Sequence, residues 1–296
     1  MSTTFDGLSD DVLLTLQGFG LSQPRASVLN TAVSTTDTVF TLADVSGFEQ
    51  GIAEVGDEVL FITNVDRDGS TITVSRAQYG TTAAAYPVGE AVTMAPVWTR
   101  KRVKAAINEA IVGVYPTLWG TASTTFTFNP AVTTYSLPAE AEKVISVHTD
   151  TIGPSKEFLQ IHRYSENLNV PTGSFATGKT ITLEKGGFPG RDIVVVYRKA
   201  PSELVNGSDL FTLSGLRETA KVCVKYAACS ILTAFMDAAR LPVDTAQADA
   251  YDPSKDPVGN ATKISAQLYQ RYQIELGQEQ RRLLQTTPAT LSVRTR

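Results

Sequence analysis

A chain of 296 residues with a formal charge of -4 and a pI near 5.3 is long enough to bury a substantial core, and its balance excludes a whole-protein nucleic-acid binder, because phosphate neutralisation makes such proteins basic. At 42% hydrophobic and 19% charged residues the composition is that of an ordinary globular chain. Its longest apolar run, about Val222 to Met236, is interrupted by Lys225 and falls short of the ~20 residues that span a bilayer, so no membrane segment is expected.

In chain order, Met1-Ser2-Thr3-Thr4-Phe5-Asp6 has neither the basic nor the apolar region of a secretion signal. Ser9 to Gly18 reads as a short helix, with Ser9 as cap, Asp10 and Asp11 at the positive end of the dipole, and Val12, Leu13 and Leu16 as its apolar face. From about Ala26 to Met94 the period changes to two. Runs at 37–42, 58–63 and 70–75, with a hairpin turn at Asp66-Arg67-Asp68-Gly69, predict a small all-β module. The polar stretch Arg76 to Tyr86 reads as a structured loop leading to an edge strand at 91–94.

Next comes the helix around which the chain is organised. Val103, Ala106, Ile107, Ala110, Ile111 and Val114 form one apolar stripe, Thr99 is placed to cap, and Pro116 stops the helix at or before Tyr115. Four cations, Arg100, Lys101, Arg102 and Lys104, crowd its first turns, where the dipole prefers anions. Either they form a solvated basic face or they meet carboxylates or phosphate of a partner. On the second reading all four are partner-binding, and changing Arg100, Lys101 and Lys104 to Gln spares the subunit while weakening assembly.

Six further strands are expected, at 125–128, 134–138, 144–147, 158–161, 180–183 and 193–197, their spacing suiting an antiparallel sandwich or barrel. A long helix then opens at Thr212 or Ser214 and closes near Pro242, apolar on more than one face. An exposed loop follows, holding Asp244, Asp249, Asp252 and Asp256. The last helix, 261–285, carries only a narrow stripe: Ile264, Leu268, Tyr272, Leu276 and Leu283. Residues 286–296 read as a tail with little fixed structure of its own. Its Leu291, Val293, Arg294 and Arg296 are candidate partner-binding residues that add to a partner as an edge strand or peg.

The fold class is therefore α+β, a discontinuous helical bundle with two inserted all-β modules and an extended C-terminal tail. Its divisions are an N-terminal helix (1–25), a small β module (26–96), a bundle helix (97–120), a β insertion (121–200), bundle helices (201–285) and the tail (286–296).

Catalytic motifs fail on context. Gly173-Ser174-Phe175-Ala176-Thr177-Gly178-Lys179-Thr180 matches the Walker A expression, but a strand rather than a helix follows, so it reads as a chance match in a β-hairpin. His148 and His162 lack a nucleophile or carboxylate at triad spacing, and the acidic loop does not match a calcium-binding pattern. Cys223 and Cys229, six apart on one helix, fit neither a metal nor a redox pattern and read as small buried apolar residues. No enzyme, cofactor or metal site is expected.

The order of parts is nonetheless distinctive. Arg76-Ala77-Gln78-Tyr79-Gly80-Thr81-Thr82-Ala83-Ala84-Ala85-Tyr86 is similar to a module of tailed-phage virion proteins, with Ala77 and Tyr86 where a Gly and a His are common there. The Trp98 to Trp119 helix with Tyr115-Pro116, and Tyr135-Ser136-Leu137-Pro138-Ala139, resemble the matching parts of head-to-tail connector or adaptor proteins of long-tailed phages. The resemblance implies a homo-oligomeric, dodecameric ring in the virion neck, assembled in the host cytoplasm. Such a ring joins a portal protein to a tail-side connector or tail terminator and passes double-stranded DNA without reading its sequence. In such adaptors the C-terminal arm docks on the portal. The competing readings are a tail or baseplate component that binds proteins or host glycans, and a hydrolase with an unrecognised site.

Overall fold

The computed structural model describes residues 2–17, 24–150, 157–184, 189–239 and 258–286, and it is a mixed α and β chain with antiparallel sheets. It divides into two compact units, one of Phe5–Glu109 and Lys225–Gln270, the other of Met1–Thr4, Ala110–Val224 and Arg271–Arg296.

In the first unit α1 (Phe5–Gln17) precedes six strands: β1 (Arg25–Val28), β2 (Val39–Thr41), β3 (Gly51–Val55), β4 (Glu58–Asp66), β5 (Thr71–Ser75) and β6 (Ala91–Met94). α1 starts four residues before the expected cap. Ser9 lies buried inside it, its hydroxyl donating to the Phe5 carbonyl at 2.9 Å, because Phe5 and Leu8 add a turn to the apolar face. Gly18, the expected closing residue, lies outside the described residues. The strands form one antiparallel sheet in the order β1-β6-β3-β4-β5-β2, and a Leu29–Leu42 bridge links its two ends. Phe40, Leu60, Ile62, Ile72 and Val92 fill its core, as period-two alternation requires. β1 and β3 were not expected. Gly51-Ile52-Ala53-Glu54-Val55 buries its last three residues in a row and so loses the alternation that marks a strand.

α2 (Arg100–Gly113) matches its prediction. The Thr99 side chain accepts from the Arg102 amide at 3.3 Å, and all six stripe residues are buried.

The second β region holds β7 (Gly120–Thr127), β8 (Thr134–Ser136), β9 (Lys143–Asp150), β10 (Phe158–Gln160), β11 (Tyr164–Asn167), β12 (Thr180–Leu183) and β13 (Asp192–Lys199). They make two antiparallel sheets, β10-β9-β13-β7 and β11-β12-β8, and residues from both, among them Val147, Ile181, Leu183, Ile193 and Val195, share one core. β11 is not among the expected strands, because Tyr164-Ser165-Glu166-Asn167 shows no apolar alternation; pairing with β12 is what makes it a strand.

The expected long helix begins later than predicted. Phe211–Ser214 and Glu218–Ala220 are single 3-10 turns separated by Gly215 at φ 86°, and α3 (Lys221–Ala239) follows. A Cβ on Gly120 would lie 3.0 Å from the Gly215 carbonyl oxygen, so a larger residue there would push this close crossing apart by a few tenths of an ångström. Val224, Ala228 and Leu232 are buried along with Cys223 and Ala227, in keeping with a helix apolar on more than one face. α4 (Val258–Thr286) buries Leu268 and Leu283 fully, and leaves Ile264, Tyr272 and Leu276 half-buried. It also buries Glu279, which accepts from the Thr219 hydroxyl at 2.6 Å and from Arg282 at 3.2 Å.

The Walker-like segment is the β11–β12 hairpin connection. Lys179 Nζ donates to the Ala139 and Ala141 carbonyls, each at 2.7 Å, and so ties down the turn after β8. Lys179→Ala should cost roughly 1–2 kcal/mol, the scale of charged hydrogen bonds, and lower Tm by a few degrees in a thermal melt. Calorimetry should find no ATP binding by either protein; binding that the substitution abolishes would contradict the hairpin assignment.

Candidate partner-binding site

The cationic start of α2 meets its anions inside its own unit. Glu54 of β3 accepts the backbone N–H of Arg100 at 2.5 Å, so a strand carboxylate sits at the helix's positive end. The Arg100 guanidinium pairs with Asp10 of α1, and Lys104 Nζ bridges Asp6 at 2.6 Å and Asp57 at 2.5 Å while lying over the Phe5 ring at 5.4 Å. Asp6 and Asp10 are one turn apart on α1, as Arg100 and Lys104 are on α2. The two pairs therefore form an antiparallel ladder between the helices.

Lys101 turns the other way. Its Nζ donates to the Tyr79 and Gly80 carbonyls, each at 2.7 Å, at the tip of the loop between β5 and β6. There Ala77 and Tyr79 hold left-handed conformations, at φ 54° and 53°, that cost a non-glycine residue about 1–2 kcal/mol each. Arg102 is exposed.

A buried ion pair holds the base of that loop. Glu58 is fully buried, and Arg76 engages it as a fork, Nη2 to Oε2 at 2.5 Å and Nε to Oε1 at 2.9 Å. The Ala77 and Ala84 amides also donate to it, at 3.1 and 3.2 Å. Burial by itself would raise the Glu58 pKa, but the Arg76 hydrogen bonds and the two amides hold the carboxyl below its ordinary value. Arg76 completes the set by donating to the Ser34 and Ala84 carbonyls and lying over the Phe40 ring at 5.3 Å. Losing Arg76 alone would strand a buried charge, a defect of about 3–5 kcal/mol.

Beside the ladder lies a cleft of about 680 Å³ lined by Asp10, Leu14, Glu54, Pro96, Trp98 and Arg100 among others. Glu54 is 7% exposed, and burial pushes its pKa up to about 7 against the lowering effect of the Arg100 amide and charge. No group of three or more His, Cys, Asp and Glu among the described residues is placed to hold a metal, and no described helix is long and apolar enough to cross a membrane. Cys223 and Cys229 are buried free thiols whose pKa values burial pushes up to about 12. His148 Nε2 lies 2.9 Å from the Ser146 hydroxyl, and His162 is exposed.

Of the sequence-derived site residues, the structure thus brings Arg100, Lys101 and Lys104 together around carboxylates and carbonyls of their own unit. Leu291, Val293, Arg294 and Arg296 lie outside the described residues, as do Asp244, Asp249, Asp252 and Asp256. Sequence reasoning points to missing anions but does not find them: Asp6, Asp10, Glu54 and Asp57 lie 46 to 98 positions from the α2 residues they meet, and of the four only Asp10 stands out in the sequence, as a helix-start acid.

Two outcomes follow from this geometry. Changing Arg100, Lys101 and Lys104 together to Gln should destabilise the subunit, by about 1–3 kcal/mol in a denaturant melt, because partly exposed pairs are each worth under about 1 kcal/mol. An unchanged midpoint would show that the ladder contributes nothing. Glu54 has a folded pKa above its unfolded value, so it favours folding below the unfolded pKa near 4.5, and that contribution is lost as pH rises through about 7. Between pH 4 and pH 8 the natural protein should lose about 3 kcal/mol relative to Glu54→Gln, read from paired melts across that range.

A family model described as SU10 adaptor protein matches residues 80–294, a span that takes in α2, both sheets of the second β region, α3 and α4. No curated protein matches the chain.

Proposed function

The chain belongs to the SU10 adaptor protein family, and on that premise we propose that it is a structural phage protein of the virion neck, a head-to-tail adaptor rather than an enzyme. Copies form a ring, dodecameric by resemblance, between the portal protein and a tail-side connector or tail terminator, and the ring extends the channel through which packaged double-stranded DNA passes. The observation that carries this reading is the family match over residues 80–294, which covers most of the chain.

Surface chemistry supports it. The exposed side of α4 carries Gln267, Gln270, Arg271, Gln278, Arg281 and Gln285 together with the apolar Tyr269, Ile274 and Leu284, while Glu275 and Glu279 are tucked aside against Arg271 and Arg282. Apolar side chains left uncovered among hydrogen-bonding ones suit a surface that packs against neighbouring subunits. The exposed Arg102 and the segment holding Leu291, Val293, Arg294 and Arg296 are the residues proposed to meet partners.

Dilute purified protein should sediment as a small species alone and as a ring on addition of portal, with a matching collar in negative-stain images. A stable species that ignores portal would sink the adaptor reading. Binding to tail-tip or baseplate proteins in its place would favour a tail component.

A further inference from the structure

Sheet edges present unpaired N–H and C=O groups, and folded chains shorten, charge, bulge or cover them. Most edges here follow that rule. β8 and β10 are three residues long, β11 carries Glu166, and β1 and β2 are linked by the Leu29–Leu42 bridge and by hydrogen bonds such as Ala43 N to Val28 O at 2.9 Å. β7 does not. It is eight residues long, pairs with β13 in unbroken register from Gly120 to Thr127, and has no second neighbour among the described residues. Its sequence, Gly120-Thr121-Ala122-Ser123-Thr124-Thr125-Phe126-Thr127, holds no proline and no charge.

The side chains at that edge are also incompletely covered. Thr121, Ser123, Thr125 and Thr127 face solvent, while Ala122 and Phe126 point to the shared core and remain only half-buried, Phe126 stacked on Tyr135 at 4.1 Å between ring centres. One more strand with apolar residues on the core side would finish that row. This chain contains such a segment. Leu291 and Val293 alternate with Ser292 and Arg294, so a strand that turns the first two to the core turns the other two to the hydroxyl face.

We propose that β7 receives residues 290–294 of a second copy as an added antiparallel strand. The end of α4 argues for a second copy as the donor. Arg217 donates to the Thr286 hydroxyl, and Gly215, two residues before Arg217, crosses Gly120, so the chain leaves α4 close to the Gly120 end of β7. A copy's own segment entering there runs parallel to β7, in a sheet that is otherwise wholly antiparallel and where parallel pairing is the weaker geometry. A neighbour's segment can enter from the Thr127 end. Repeated around a closed set of copies, this head-to-tail exchange leaves no β7 edge open. The inference rests on the adaptor reading, which sets copies side by side in a ring, and it names the neighbour as the partner of residues 290–294.

Hydrogen exchange on the full chain tests it. The outward-pointing amides of residues 121–127, every second one, should be protected at high protein concentration, exchange at least tenfold faster on dilution, and regain protection when a synthetic peptide of residues 287–296 is added to the dilute protein. Leu291→Asp with Val293→Asp should abolish the protection and Ser292→Asp should keep it, with Tm unchanged in both. Exchange of β7 indifferent to concentration and peptide, or Ser292→Asp as damaging as the paired change, overturns the proposal. Binding of the peptide to portal alone does so too. If β7 is protected by a neighbour yet portal is ignored, only the adaptor reading fails; if portal is joined with β7 unprotected, only the strand exchange fails.

Discussion

A helix that begins with four cations must find anions at its amino end, and most of what surrounds α2 in its unit can be traced to that need. Glu54 takes the first free amide, and Asp10, Asp6 and Asp57 take the charges that follow. The helix-start charges that oppose the dipole become the means by which α1, the turn after β3 and the loop before β6 are fixed around one point. Each contact is modest by itself, since exposed ion pairs gain little over hydration. Their shared geometry is what matters: two helices with acid and base at the same four-residue spacing align in only one register.

The second anchor differs in kind. Glu58 and Arg76 are both withdrawn from solvent, where desolvation makes an ion pair a poor source of stability unless every lone pair and N–H is used. Here nearly all of them are, by backbone groups of the segments on either side. The pair therefore specifies the path of the 76–86 loop more than it strengthens the fold, and the loop in turn carries Tyr79, 72% exposed, on a backbone that would not otherwise adopt its conformation. An exposed aromatic on a rigid support is a common anchor of protein interfaces. That property fits an adaptor, whose work is done by surfaces rather than by a catalytic pocket.

Periodicity and end chemistry in the sequence were enough to determine α2 with its cap and stripe, the narrow face of α4, the alternating strands of both β regions, and the failure of the Walker-like segment to continue into a helix. These are local properties, written in residues within a turn or a strand length of one another. Four features needed the tertiary structure. β3 and β11 lack alternation and are strands because neighbours pair with them. Ser9 is a core residue because Phe5 extends its helix. Gly120 closely approaches Gly215, and the anions of α2 come from places with no sequence proximity to it. An unpaired strand edge is invisible in sequence for the same reason: whether β7 has one neighbour or two depends on where the rest of the chain, or another copy of it, is in space.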